Sequence, residues 1–148
     1  MKVAIASDHA GFKAKGEIAE YLKSKGYEVA DFGTYSEESC DYPDFGQKAG
    51  KAVACGECDR GVVICGTGVG ISIAANKVKG VRCALTNDER CAELSRRHND
   101  ANVMAMGARM ISVEEMKKMV DVFFSTDFEG GRHTRRVAKI TAIENEKS

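Results

Sequence analysis

Apolar and polar positions follow two rhythms along the chain. Short apolar runs, often β-branched, recur at Val3–Ala6, Glu28–Phe32, Gly61–Cys65, Val81–Leu85 and Asn102–Met106, each of strand length. Between them the spacing is helical: Ala14, Ile18, Tyr21 and Leu22 share one face, and so do Val113, Met116, Val120 and Phe123. A last helix is predicted over Thr134–Glu144, with Val137, Ile140 and Ile143 as its apolar stripe. Strand–helix alternation throughout predicts an α/β fold: three layers, with a five-stranded parallel sheet covered by helices on both faces. The expected strand order is the common 2-1-3-4-5. No repeat, low-complexity tract or linker breaks the pattern, so residues 1–148 read as one domain. Glu144–Ser148 is a polar tail expected to fray. Gly33–Pro43 is one long irregular connection, long enough to serve a function.

Open parallel sheets bind ligands beyond the carboxyl ends of their strands, where the winding reverses. In the expected order that point lies between strands one and three. Strand one ends at Ser7–Asp8–His9 and strand three at Cys65–Gly66–Thr67, so the tetrads SDHA and CGTG are predicted to flank one crevice.

Gly61–Asn76, GVVICGTGVGISIAAN, carries the most chemistry. A buried strand feeds a turn holding Gly66, Gly68 and Gly70, and an Ala-rich helix start follows. Such a turn aims several backbone N–H groups at one point, a cradle for an anion or for charge that develops during a reaction. Cys65 sits at its lip, a setting that favours a thiolate. A base or nucleophile beside an oxyanion cradle implies an enzyme, although a free cysteine ending a strand is commonly just a small buried residue. The run fits neither nucleotide motif. A P-loop needs Lys–Ser/Thr where Ile71–Ser72 stands, and Ile71 also occupies the third glycine of a dinucleotide fingerprint, even though Asp88 lies at ribose-binding spacing.

Composition narrows the function classes. Charged residues balance at 22 against 22, which leaves no global field to attract nucleic acid or an anionic membrane. Apolar runs of about four residues cannot span a bilayer, and Asp8 interrupts any signal-peptide core. Six cysteines without an export signal read as reduced thiols in a cytoplasmic protein. Cys55 and Cys58 form a lone C-x-x-C; a structural zinc site would want a second pair, and a redox pair would open a helix, whereas this one closes a helical segment.

Three further groups have two readings each. Asp8 and His9 follow strand one, where an aspartate also serves as a turn or cap residue. His98 belongs to Arg96–Arg97–His98–Asn99–Asp100, whose cations also suit a helix C-terminus. Arg132 and Arg136 share a helical face if the last helix begins early; they form either a phosphate clamp or a basic surface.

Five blocks in order, SDHAGFKAK, GTYSEESCDYPDF, ICGTGVGISIAANK, RRHNDANVMAMGAR and EGGRHTRR, resemble the family of B-type ribose-5-phosphate isomerases, which also holds allose- and galactose-6-phosphate isomerases. The resemblance spans nearly the whole chain. It implies a Rossmann-like sheet and a homodimer, or a tetramer, with active sites shared between subunits. It implies Cys65 as the base that moves a proton between C2 and C1, His98 as the group that opens the sugar ring, and Thr67 as an aid to proton movement at the oxygens. Gly66, Thr67, Gly68, Val69 and Gly70 match the anion hole. Asp8, His9, Tyr42 and Asn99 match sugar contacts, and Arg109, Arg132 and Arg136 match contacts that include the phosphate. Neither cofactor nor metal is implied. Some relatives carry a glutamate base just after the glycine run; Ile71 stands there in this chain, leaving Cys65 for the role. The competing class is a nucleotide- or phosphate-binding module without catalysis.

Overall fold

A computed structural model describes residues 1–146; the rest of the predicted tail, 147–148, lies outside the described residues. The elements run β1 (Lys2–Ser7), α1 (Phe12–Ser24), β2 (Glu28–Asp31), α2 (Tyr42–Ala54), β3 (Arg60–Cys65), α3 (Val69–Asn76), β4 (Cys83–Leu85), α4 (Glu89–Asn99), β5 (Val103–Gly107), α5 (Val113–Ser125) and α6 (Arg132–Glu144). All five strands pair in parallel. Period-2 alternation splits their side chains between two cores. Val3, Ile5, Val62, Ile64, Met104 and Met106 face a layer holding Ile18, Leu22 and Phe123 of α1 and α5. Ala4, Ala6, Val63, Cys65 and Ala105 face Ala49, Ile71 and Ala75 of α2 and α3. The helices on that second face come close because the strand residues beneath them are small.

The strand order is β2-β1-β3-β5-β4 rather than 2-1-3-4-5. Burial explains the exchange. A strand covered on both faces needs a continuous apolar run, and all five residues of Val103–Gly107 are buried. Cys83–Leu85 has three half-buried residues and takes the edge. The exchange leaves β1 beside β3, in register from Val3↔Arg60 to Ser7↔Ile64, so the predicted crevice stands.

Local chemistry sets the helix starts. The Asp88 carboxylate accepts from the Cys91 N–H at 2.7 Å and the Ser112 hydroxyl from the Glu115 N–H at 3.2 Å, each filling an N-cap. Asp88 is thus committed to capping α4. The predicted irregular connection ends at Tyr42, where α2 begins, with Pro43 in its first turn. At the other end of α4 the buried Arg96 donates to the carbonyls of Ala101 and Thr126 and to Asp100, tying the helix to its neighbours.

α6 begins at Arg132, two residues before the predicted start. It packs on α4, and of its residues His133 alone is buried. Its expected apolar stripe is largely uncovered: Val137 is half-buried, and Ile140 and Ile143 are 41% and 66% exposed. Among the described residues no helix is long and apolar enough to cross a membrane.

Candidate active site

The glycine turn after β3 forms the predicted cradle. Gly68 is the N-cap of α3 with φ +81°, a left-handed conformation that a side chain strains. A Cβ there would also stand 2.7 Å from Leu85 Cδ1 and 2.8 Å from the backbone carbon of Met106. The Gly68 N–H turns back onto the Sγ of Cys65, a 3.2 Å hydrogen bond. The Thr67 hydroxyl accepts from the Val69 N–H at 3.2 Å. The Gly70 and Ile71 amides, next in the first turn of α3, have no helical carbonyl to bond and remain as donors. Cys65 is 4% exposed, so its sulfur lies at the floor of the cradle rather than on its lip.

Neighbouring strands bring further predicted residues to this end of the sheet. The Arg109 guanidinium crosses Gly66: its Nη1 lies 3.0 Å from where a Cβ would sit. The segment carrying Arg109 is held by Ala108 N–H to Cys65 C=O at 2.8 Å and Arg109 N–H to Gly66 C=O at 2.9 Å. The Tyr42 ring covers Gly70, 2.6 Å from the equivalent Cβ position. Asp8 begins the turn after β1, where its carboxylate accepts from the Gly11 N–H at 3.1 Å; the turn role is therefore real. His9 Nδ1 accepts from the Cys40 N–H at 3.2 Å. That bond puts the proton of a neutral ring on Nε2.

Lys15, which sequence reading passes over, anchors the connection that carries Cys40. It is 2% exposed, and its ammonium donates to both oxygens of Asp31 at 2.6 and 2.7 Å and to the Thr34 carbonyl at 2.7 Å. The available signal was a lysine on the apolar face of α1, where a charge needs a partner.

A second group of predicted residues gathers elsewhere. His98 and Asn99 end α4, just before β5 begins at Val103, while Cys65 is in register with Gly107 at the far end of that strand. Five residues of strand separate the two groups by roughly 15 Å. Arg132 and Arg136 are exposed on the first turns of α6, on the His98 side. The His98 and His133 rings stack with centroids 4.2 Å apart and planes 12° from parallel. Arg97 bonds Glu129 at 3.1 Å, and Glu129 Oε1 lies 3.7 Å from His133 Nε2. One chain thus assembles the Cys65 group and the His98 group separately. His133 is a second residue sequence reading missed, although it lies between the two predicted arginines.

His98, Glu129 and His133 bring ligand-type atoms within 4.8 Å of one another. Stacked rings hold their in-plane lone pairs in nearly parallel planes, whereas two imidazoles on one zinc must converge on it; Glu129 is already paired with Arg97. The trio reads as a packed side-chain group rather than a metal site. Burial, followed by the charges of His98 and Arg132, pushes the His133 imidazolium below its ordinary range. Among the other cysteines, burial pushes the Cys83 thiol up to about 12 and raises that of Cys58.

Residues 3–140 match the ribose/galactose isomerase family. The chain is 49% identical over 147 residues to ribose-5-phosphate isomerase B of Escherichia coli K12, covering 99% of each chain. Its structure superposes on Clostridium thermocellum ribose-5-phosphate isomerase B with a TM-score of 0.98 at 55% identity, covering all of both chains. On the Mycoplasma genitalium enzyme with bound ribulose-5-phosphate the TM-score is 0.95 at 45% identity, covering 99% of this chain and 97% of that one. The sheet order, the glycine cradle with its cysteine and these full-length matches agree: the chain belongs to the ribose/galactose isomerase family.

Proposed function

We propose that this protein interconverts D-ribose 5-phosphate and D-ribulose 5-phosphate in the cytoplasm, with Cys65 as the base. The observation that carries the mechanism is the Gly68 N–H aimed at Cys65 Sγ at the start of α3, whose next amides have no helical carbonyl to bond. Ring opening breaks the C1–O4 bond of the furanose; His98 gives O4 a proton, and the O1 hydroxyl loses its own to become the aldehyde. The Cys65 thiolate then takes the C2 proton. The electron pair of that C–H bond forms C1=C2, and the charge moves to O1, where the amide cradle stabilises it. The thiol returns its proton to C1 while the O2 proton passes to O1, helped by Thr67. Atoms and electrons balance without an oxidant or a metal. Arg109, Arg132 and Arg136 hold the phosphate, so that binding energy at the far end of the sugar positions the reacting carbons.

The site is read as shared between two copies of the chain. Support comes from the separation of the Cys65 and His98 groups along β5 and from the uncovered apolar side chains Val69, Ile73, Ile140 and Ile143. A dimer that places α6 of one copy over the cradle of the other completes the site and covers these side chains. Comparing kcat/KM on ribose 5-phosphate and allose 6-phosphate tests the substrate. A preference for the pentose is expected; a preference for the hexose would reassign it, and binding without turnover of either would leave a phosphosugar-binding module.

A further inference from the structure

We propose that His133 is a positioning residue for ring opening: its buried imidazole lies flat against His98 and fixes the plane in which His98 presents its proton. The proposal rests on the reading of His98 as the ring-opening acid. His133 is 5% exposed and is the buried residue of α6, so the fold sets the attitude of its ring. His98 is only half-buried at the end of α4, where a side chain without a flat neighbour samples several orientations. The 4.2 Å stack at 12° supplies that neighbour. The His133 Nε2 is buried and, among the described residues, has no hydrogen-bond partner, Glu129 Oε1 being 3.7 Å away. Buried polar atoms are nearly always paired, and an exception calls for a reason. Here the reason is the face that the ring offers to His98.

The stack works with one proton, because two imidazolium rings at this distance repel. The groups around the His133 ring are His98 on α4, Glu129 on the preceding loop, itself held by Arg97, and Arg132 and Arg136 on α6. Burial and the cations disfavour a charged His133, with Glu129 alone pulling the other way. His98 is the ring of the pair that water reaches; it passes a proton to O4 and is recharged by the O1 proton, while His133 exchanges none.

Initial rates from ribose 5-phosphate, measured against enzyme concentration, test this with His133→Phe and His133→Leu. Phenylalanine keeps a flat face without titrating; leucine fills the space without one. The leucine variant is expected to bend to a plateau at the rate of spontaneous ring opening, yet to stay linear from ribulose 5-phosphate, which has no furanose form. The phenylalanine variant is expected to rescue linearity, within about threefold of wild type. Linearity of the leucine variant from both substrates overturns the proposal, as does an equal loss on both, which would make His133 merely structural. His98→Ala run alongside separates the two failures. If it stays linear from ribose 5-phosphate, the ring-opening reading has failed; if it alone plateaus, only the stack has. The chain has three histidines, so imidazole NMR of the wild type adds a measurement that needs no variant to fold. His133 should stay neutral as pH falls through the ordinary imidazole range, and proton uptake by His133 within that range overturns the proposal.

Discussion

The backbone N–H of Gly68 points at the sulfur of Cys65, 3.2 Å away, and the same residue caps α3 with φ at +81°. One glycine thus supplies both a donor to the base and the left-handed turn that starts the helix. Gly68→Ala should lower stability by about 1–3 kcal/mol through the strained torsion and its collision with the Met106 backbone. The kcat/KM should fall on the order of 100-fold or more, as when an oxyanion donor is lost. Thermal melting and steady-state kinetics measure both. A folded variant with wild-type kcat/KM would show that this N–H plays no part in turnover.

The separation of the Cys65 and His98 groups makes a prediction about mixtures. Arg136→Ala should raise KM for the phosphosugar strongly and matter much less for free ribose. Cys65→Ala and Arg136→Ala proteins, each nearly inactive at low substrate, should regain activity when mixed and allowed to exchange subunits. Random pairing leaves about a quarter of all sites intact. No recovery, with exchange verified by native mass spectrometry, would place both residues of a site in one chain.

The thiols should react unequally. Iodoacetamide is expected to inactivate the protein through Cys65, with saturating substrate protecting it, while Cys83, pushed up to about 12 by burial, stays unmodified. The Cys40 sulfur lies 3.8 Å from His9 Nδ1, so its alkylation would also disturb the site. Mass mapping of the modified cysteine against residual activity, repeated in Cys40→Ser, distinguishes the two. Inactivation that follows Cys40 instead would count against the assignment of Cys65.

The fold was legible in the sequence to the extent that burial writes a pattern. The five apolar runs became the five strands, and the face of Ala14, Ile18 and Leu22 became the buried face of α1. Strand order was not legible between β4 and β5, because position in a sheet depends on relative burial, and Val81–Leu85 and Asn102–Met106 look alike as runs. In the site, motifs near a backbone turn were readable: CGTG, SDHA and the arginines of α6. Lys15 and His133 escaped because each acts through a partner distant in sequence, Asp31 and Thr34 for one, His98 for the other. Asp88 had the spacing of a ribose ligand, yet it caps α4, since a helix start and a ligand contact ask for the same residue type.

The lowered protonation of His133 carries a sign for stability. Its folded-state value lies below the unfolded one of about 6.5, so below that pH the unfolded chain binds the extra proton first. This contribution to stability is complete above about pH 6.5 and is lost as pH falls from there toward the folded-state value. Urea midpoints at pH 7.5 and 5.5 should therefore drop further for wild type than for His133→Phe. Equal drops would mean that His133 titrates alike in both states.

The central claim is that one cysteine moves the proton between C2 and C1. It is tested most directly by following ribose 5-phosphate by NMR in D2O with wild-type and Cys65→Ala protein at equal concentration. The wild type should convert it to ribulose 5-phosphate, with deuterium entering at the reacting carbons whenever the thiol exchanges its proton before returning it. Cys65→Ala should show neither conversion nor deuterium entry, while saturation-transfer signals show that it still binds the sugar phosphate. Turnover by Cys65→Ala within about tenfold of wild type would contradict the account, since a lost base cannot leave the chemical step so nearly intact.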